Sequence, residues 1–268
     1  MSVNSQNSNK GSLVCVGLGM ILGSHLAPLS RNFIEQADVV FMSVTDPLTE
    51  KWIQKMNPNC QSLQKFYSDG KDRRTSYQQM VDTVLREVEL GKQVVAAFYG
   101  HPGVFAWAPH KMIEVAKKNG YHSHMEPGIS AEDCLYADMA IDPGINGAVH
   151  AEASQFMLYE RKVDTTAYLI LWQLGFVGDL SMSKYQTDSH YRLLLQQLLV
   201  HYYSTDHLVA IYESPTIPTE TARIEWFPLE QLSQVHVEHF STLVIPPFSS
   251  KKIDVDMLNK INQLSKNS

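Results

Sequence analysis

Apolar runs of strand length alternate with amphipathic stretches of helical period along this chain. "SLVCVGLG" (12–19) reads as a buried strand, 25–37 as an amphipathic helix and "DVVFMSV" (38–44) as a second strand. Helical spacing over 75–91, a strand over 93–99 and helical spacing over 104–119 follow. This β-α-β order predicts a parallel sheet. Beyond the turn-rich "MEPGIS" (125–130) a second set begins, with a helix over 130–139, the strand "TAYLILWQLG" (166–175) and a helix over 189–203. The strands "HLVAIYE" (207–213) and "HFSTLVIPP" (239–247) complete it. The pattern divides the chain into a disordered tail over 1–10, an N-terminal α/β subdomain over 11–127, a C-terminal α/β subdomain over 128–248 and a partly helical tail over 249–268. No internal repeat is present.

Composition changes this picture little and excludes much. The 268 residues are 44% hydrophobic and 19% charged, with a formal net charge of −6. A chain of this kind buries one large core or two smaller ones. Lys and Arg are scattered, so the basic footprint of a nucleic-acid binder is missing. Three cysteines, Cys15, Cys60 and Cys134, lie far apart without a C-x-x-C, which argues against a disulfide framework or thiolate metal site and for reduced cytosol. The polar start lacks signal-peptide order, and "LVCVGLGMILGSHLAPL" is broken well short of a membrane span. The expectation is a cytoplasmic protein with no membrane partner.

Four places carry candidate chemistry. The strand in "QVVAAFYGHPGVFAW" (93–107) stops at Tyr99-Gly100-His101-Pro102-Gly103 and resumes as a helix-compatible run at Val104-Phe105. Strand-to-glycine-loop-to-helix is the geometry at which open α/β sheets bind ligands. Gly17-x-Gly19 follows the first strand, but "GLGMILG" is one residue too long for G-x-G-x-x-G. It reads as a tight strand exit or as a loop that lets backbone approach a nucleoside-like ligand. His122 and His124 share one face of a short strand without a third ligand in spacing, so the reading is an exposed strand face and no metal. In "KFYSDGKDRRTSYQQM" (65–80), Tyr67 stands in a loop and Tyr77 in the first turn of a helix capped by Thr75 or Ser76. Arg73 and Tyr77 are four apart, hence on one helical face if the helix begins early enough. A guanidinium beside a phenol favours phenolate, and with it proton removal from a very weak acid.

Taken in order, "FYGHPGVF", "MEPGISAEDCLYADMAIDPG", "EASQFM", "LILWQLG" and "STLVIPP" resemble the tetrapyrrole-methylase superfamily and, within it, the borosin peptide backbone α-N-methyltransferases. The similarity spans about residues 11–247. It implies a two-domain α/β methylase fold with S-adenosyl-L-methionine, released as S-adenosyl-L-homocysteine, in the cleft between the domains, and a homodimer. Residue by residue it puts Tyr99, His101, Val104, Phe105, Ser130, Ala131, Gln173, Tyr212, Glu213, Ser241 and Thr242 around the cofactor. It matches Tyr67, Arg73 and Tyr77 to the family's catalytic tyrosine-arginine-tyrosine set, with Tyr99 directed toward the transferred methyl. Arg73 rather than Arg74 takes the arginine place because it precedes the second tyrosine by four. The first loop departs from the G-x-G-P-G-D of the porphyrin-modifying branch, which weakens a tetrapyrrole substrate.

The activity so implied is repeated N-methylation of backbone amides in a ribosomally made precursor peptide. The tail "SSKKIDVDMLNKINQLSKNS" contains no apolar core-peptide stretch, so the expectation is a split system: a separate precursor bound as a 2:2 assembly. A corrinoid or porphyrin-precursor methyltransferase, and a non-catalytic peptide-binding scaffold, are the alternatives. Which tyrosine removes the proton is open.

Overall fold

A computed structural model of the chain describes residues 11–44, 46–68, 70–184 and 186–266. The disordered tail expected over 1–10 lies outside the described residues. The first half runs β1 (Ser12–Gly17), α1 (Pro28–Gln36), β2 (Val39–Ser43), α2 (Pro47–Met56), β3 (Cys60–Ser62), α3 (Arg73–Glu89), β4 (Gln93–Phe98), α4 (Trp107–Lys118) and β5 (His122–Glu126). Its sheet has the order β3-β2-β4-β1-β5 and is parallel throughout. The inner strands read as unbroken apolar runs because both faces are covered. Leu13, Cys15, Phe41 and Ala96 pack under Met80, Val84 and Met112 of α3 and α4. The alternate positions Val14, Val16, Val40 and Met42 pack under Ile34 and Ile53 of α1 and α2.

The second half runs α5 (Ala131–Asp138), α6 (Pro143–Asn146), β6 (Ala148–Glu152), α7 (Ala153–Leu158), β7 (Tyr168–Trp172), α8 (Ser189–Leu199), β8 (Leu208–Glu213), β9 (Arg223–Pro228), β10 (Thr242–Ile245) and α9 (Val255–Lys266). Its sheet, β6-β7-β10-β8-β9, is mixed: only β6 and β7 are parallel. Phe156, Leu195 and Leu199 of α7 and α8 cover one face. Cys134 and Leu135 of α5 cover the other, against Ile170, Tyr212 and Val244. Met20, from the loop after β1, packs on this second cluster, and Leu22 N–H donates to Thr216 O at 2.9 Å. The two halves thus meet over the carboxyl ends of the first sheet.

Two sequence expectations are corrected. The helix after Tyr67 is capped by Asp72, whose carboxylate accepts from Arg74 N, and not by Thr75 or Ser76. Arg73 is therefore the first helical residue and Tyr77 lies in the second turn. The helix expected from 104 begins at Trp107, because Phe105 sits at φ +49° and cannot be helical. No helix among the described residues is long and apolar enough to cross a membrane.

Candidate functional site

Three glycines hold the strand ends together. A Cβ on Gly17, at the end of β1, would stand 2.5 Å from Gly100 O and 2.7 Å from Gly128 Cα. A Cβ on Gly128 would stand 2.4 Å from Gly100 O. The ends of β1, β4 and β5 therefore touch backbone to backbone, an approach that only hydrogen side chains permit. Gly19 N–H donates to Gly100 O, and Gly100 N–H returns the bond to Gly19 O at 2.9 Å, closing the loop after β1 on the loop after β4. The glycines thus seat the 99–105 loop beside the first strand.

The loop itself is built around left-handed backbone. Gly100 is at φ +63° and Phe105 at φ +49°, where a side chain with a Cβ is strained. His101 Nδ1 accepts from Gly103 N at 2.9 Å, so the ring folds back on its own loop. Phe105 then meets Trp172, the last residue of β7, at 5.7 Å between ring centroids. The next residue, Gln173, is the other left-handed non-glycine at this junction, at φ +59°. Strain of this kind concentrates where surrounding structure over-determines a ligand-facing residue.

Ser130 and Ala131 open α5 against the same loop. Ser130 is a capping-box residue: its hydroxyl and N–H both go to Asp133 Oδ2, at 2.9 and 2.7 Å. Ala131 is the first helical residue, whose N–H has no partner within a helix and is a natural donor to an anionic group. Ser241 and Thr242 lie beside Gln173, since Leu174 N–H donates to Ser241 O at 2.9 Å. The hydroxyl of Ser241 donates to Glu213 and accepts from Glu238 N. Glu213 also holds Arg223 at 2.9 Å. Tyr212 is buried, its hydroxyl donates to Asp138 Oδ2 at 2.8 Å, and burial pushes its phenol well up. Val104 completes the loop with its N–H on His101 O. The polar groups of Tyr212, Glu213 and Ser241 are thus already engaged by protein, whereas the loop, Ala131 and Gln173 line the junction of the halves.

The second cluster is aromatic. Tyr67 and Tyr77 meet edge to face at 6.2 Å, and Tyr77 stacks on Trp107 at 6.4 Å. Tyr99 is close enough to Tyr77 for the two phenols to interact: burial, and after it Tyr77, raise the Tyr99 phenol above the ordinary tyrosine value. Yet Tyr99 is 60% exposed. With much of its surface open to water, the upward direction stands and its extent is moderated by solvent. The structure therefore brings the three tyrosines together. It directs Arg73 elsewhere: the guanidinium faces Asp179 and lies over the Phe176 ring at 4.6 Å. Four side chains here escaped the sequence reading: Trp107, Trp172, Phe176 and Asp179. Trp172 and Phe176 flank Gln173 closely enough for "LILWQLGF" to have signalled them, but nothing in the chain order pointed to Asp179.

His122 and His124 face each other at 5.6 Å, and His124 Nε2 lies 3.0 Å from Glu126 Oε1. Among the described residues no group of three or more His, Cys, Asp or Glu is placed to hold a metal ion.

Comparison with known proteins agrees with this geometry. The family model for tetrapyrrole (corrin/porphyrin) methylases matches residues 12–232. A methyltransferase/ribosomally synthesized cyclic peptide gymnopeptides precursor of Gymnopus fusipes is 39% identical over 268 residues, covering 98% of this chain. The corresponding omphalotin A precursor of Omphalotus olearius is 35% identical over 264 residues, covering 97% of this chain. The chain spans 63% of the length of each of these two relatives, whose names join a methyltransferase and a precursor in one protein. Two solved structures share the fold. A cobalt precorrin-4 methyltransferase has TM-score 0.64 and 17% identity, over 91% of this chain and 98% of that one. The uroporphyrin-III-C-methyltransferase of Thermus thermophilus has TM-score 0.65 and 16% identity, over 89% and 95%. With its two-sheet architecture, its glycine-sealed strand ends and a match over most of its length, the chain belongs to the tetrapyrrole (corrin/porphyrin) methylase family.

Proposed function

We propose that this protein transfers methyl groups from S-adenosyl-L-methionine to backbone amide nitrogens of a precursor peptide, repeatedly along its length. The observation that carries the reading is the gathering of Tyr67, Tyr77, Tyr99 and Trp107 beside the 99–105 loop. The peptide-precursor names of its relatives support the substrate class.

When bound, the cofactor supplies an electrophilic methyl. Tyr99, His101, Val104 and Phe105 of the loop, Ser130 and Ala131 at the start of α5, and Gln173, Tyr212, Glu213, Ser241 and Thr242 of the second sheet would hold it. Of these, Ala131 offers a helix-start N–H and Gln173 a strained strand end. Tyr212 and Glu213 act as support, since their polar groups are committed.

The acceptor is the difficult partner, because an amide nitrogen's lone pair is delocalised into its carbonyl. The site must take the N–H proton and steady the negative charge that appears on oxygen. Tyr99, with its phenol raised, keeps its proton at neutral pH and is suited to donate to that oxygen. Tyr67 or Tyr77, ionised to phenolate, takes the proton, directly or through water, and the other orients the peptide against Trp107. Arg73, paired with Asp179 one helical turn from Tyr77, contributes its charge to the site from that position.

The precursor is proposed as a separate chain, and the protein as a homodimer binding it 2:2. The test is single-turnover methylation of a candidate precursor supplied in trans, followed by intact mass, with the protein's own mass recorded alongside. Mass gains in multiples of one methyl on the added peptide support the proposal. Gains on the enzyme chain instead overturn the separate precursor, and gains on a porphyrinoid but on no peptide overturn the substrate class. Arg73→Ala and Tyr77→Phe should each cost on the order of 10²- to 10³-fold in rate, with S-adenosyl-L-homocysteine affinity unchanged by calorimetry. Arg74→Ala should cost little, because Arg74 is exposed and pairs with the capping Asp72. Near-native turnover by folded Arg73→Ala would remove the assigned roles.

A further inference from the structure

Arg73 of the tyrosine-arginine-tyrosine set is held by the second half of the molecule. Its N–H donates to Met182 O at 2.9 Å, its Nη1 donates to Lys184 O, and its Nη2 lies 3.5 Å from Asp179 Oδ2. The Phe176 ring supports the guanidinium face. The arginine side chain is 14% exposed and that of Asp179 is 1% exposed.

A carboxylate so enclosed is costly unless it is paired and hydrogen-bonded. Asp179 Oδ1 accepts from Ser181 N at 3.0 Å and from Ser181 Oγ, and Oδ2 accepts from Lys184 N at 3.1 Å. Those bonds fix the carboxylate within its own loop and leave Arg73 as its counter-charge. The loop is pinned in turn: Thr187 N–H donates to Gly175 O at 2.8 Å and Thr187 Oγ1 to Val177 O at 2.8 Å. Gly178 has no room for a Cβ, which would stand 2.2 Å from Tyr191 Cδ1. The rigid segment that begins at Gln173 thus ends on the guanidinium, one helical turn from Tyr77.

We propose that Asp179, backed by Phe176, is a positioning residue for Arg73: it sets the guanidinium for the transfer reaction and ties that setting to the strand end carrying Gln173. This rests on the methyl-transfer reading above. A surface arginine samples many rotamers, and a displacement of about 1 Å in a reacting group can cost on the order of 10²-fold in rate.

Two measurements test it separately. Nitrogen-15 NMR of the arginine side chains should show slowly exchanging Arg73 guanidinium protons in the wild type, assigned by their loss in Arg73→Ala, and fast exchange in Asp179→Asn. Single-turnover methylation by Asp179→Asn should fall about 10²-fold, with S-adenosyl-L-homocysteine affinity and the unfolding midpoint close to wild type. In an Arg73→Ala background the same substitution should cost nothing further, a non-additivity that a purely structural role would not produce. Phe176→Leu, which keeps the apolar bulk, is the second variant should Asp179→Asn fail to fold, and it should lower turnover with the same non-additivity. Additive losses, near-native turnover of a folded variant, or unprotected Arg73 protons in the wild type would each overturn the proposal. A wild type with protected Arg73 protons that methylates no peptide would instead overturn the function reading, and the proposed role with it.

Discussion

His150, on β6, shows how much one imidazole settles at this site. Trp172 Nε1–H lies 2.9 Å from its Nδ1, and an indole nitrogen only donates. The ring is therefore neutral, with its proton on Nε2, which donates to the Tyr136 hydroxyl oxygen at 2.7 Å while that hydroxyl faces Glu132. Burial lowers the His150 pKa, and the charge of Glu132 opposes this only in part. Tyr136 is pushed up to about 12, first by burial and then by Glu132, so it stays protonated throughout. A histidine whose folded value is depressed contributes stability that is fully present above its ordinary pKa of about 6.5 and is lost as pH falls toward the folded value. Protonation would also break the Trp172 bond, and Trp172 supports Phe105 and leads into Gln173. We expect S-adenosyl-L-homocysteine affinity and the indole fluorescence to fall together only as pH drops to the lowered folded value of His150, beneath the ordinary histidine range. The check is a fluorescence titration against pH in which Trp172→Phe loses the step. A step that persists in that variant would place the titrating group elsewhere.

Among elements, the meeting of β1, β4 and β5 sets the tolerance to change. Gly17→Ala puts a methyl group into backbone at 2.5 Å and should cost about 1–3 kcal/mol of stability, as overpacking does. It should also weaken cofactor-product binding, because the strand ends and the 99–105 loop must part. Gly23→Ala is the contrast: its φ is +75° but its nearest neighbour, Trp52, is 4.0 Å away. Only left-handed strain remains there, about 1–2 kcal/mol, with binding unchanged. Denaturant unfolding and calorimetry on the two variants separate crowding from strain.

At the scale of the whole molecule, α9 stands apart. Every described residue of 255–266 is exposed, including Val255, Met257, Leu258, Ile261 and Leu264, so the helix adds nothing to the monomer's core. A chain cut after Lys252 keeps the anchoring bonds of Phe248 and Ser249 to Thr165 O. Its unfolding midpoint at low concentration should match that of the full chain. A large drop, measured by calorimetry across a dilution series, would show that α9 stabilises the protein through contacts beyond one copy.

Periodicity determined the elements whose burial is continuous or one-sided. The runs at 13–17, 39–43 and 93–98 became buried parallel strands, and 73–89 a helix, because flanking helices or one apolar face dictate those patterns. The short elements α2, β3, β6, α7 and β9 went unread, since three to ten residues of mixed polarity carry too weak a period until neighbours supply their partners. The glycine-rich exit after Phe98 and the Tyr67, Arg73 and Tyr77 spacing were visible as residues in a row. Only tertiary structure decided that Tyr99 approaches Tyr77, that Phe105 leans on Trp172, and that Arg73 reaches Asp179, 106 positions along the chain. Local patterns encode which face of an element is buried, whereas contacts across the two halves depend on how sheets and loops dock, which no local pattern records.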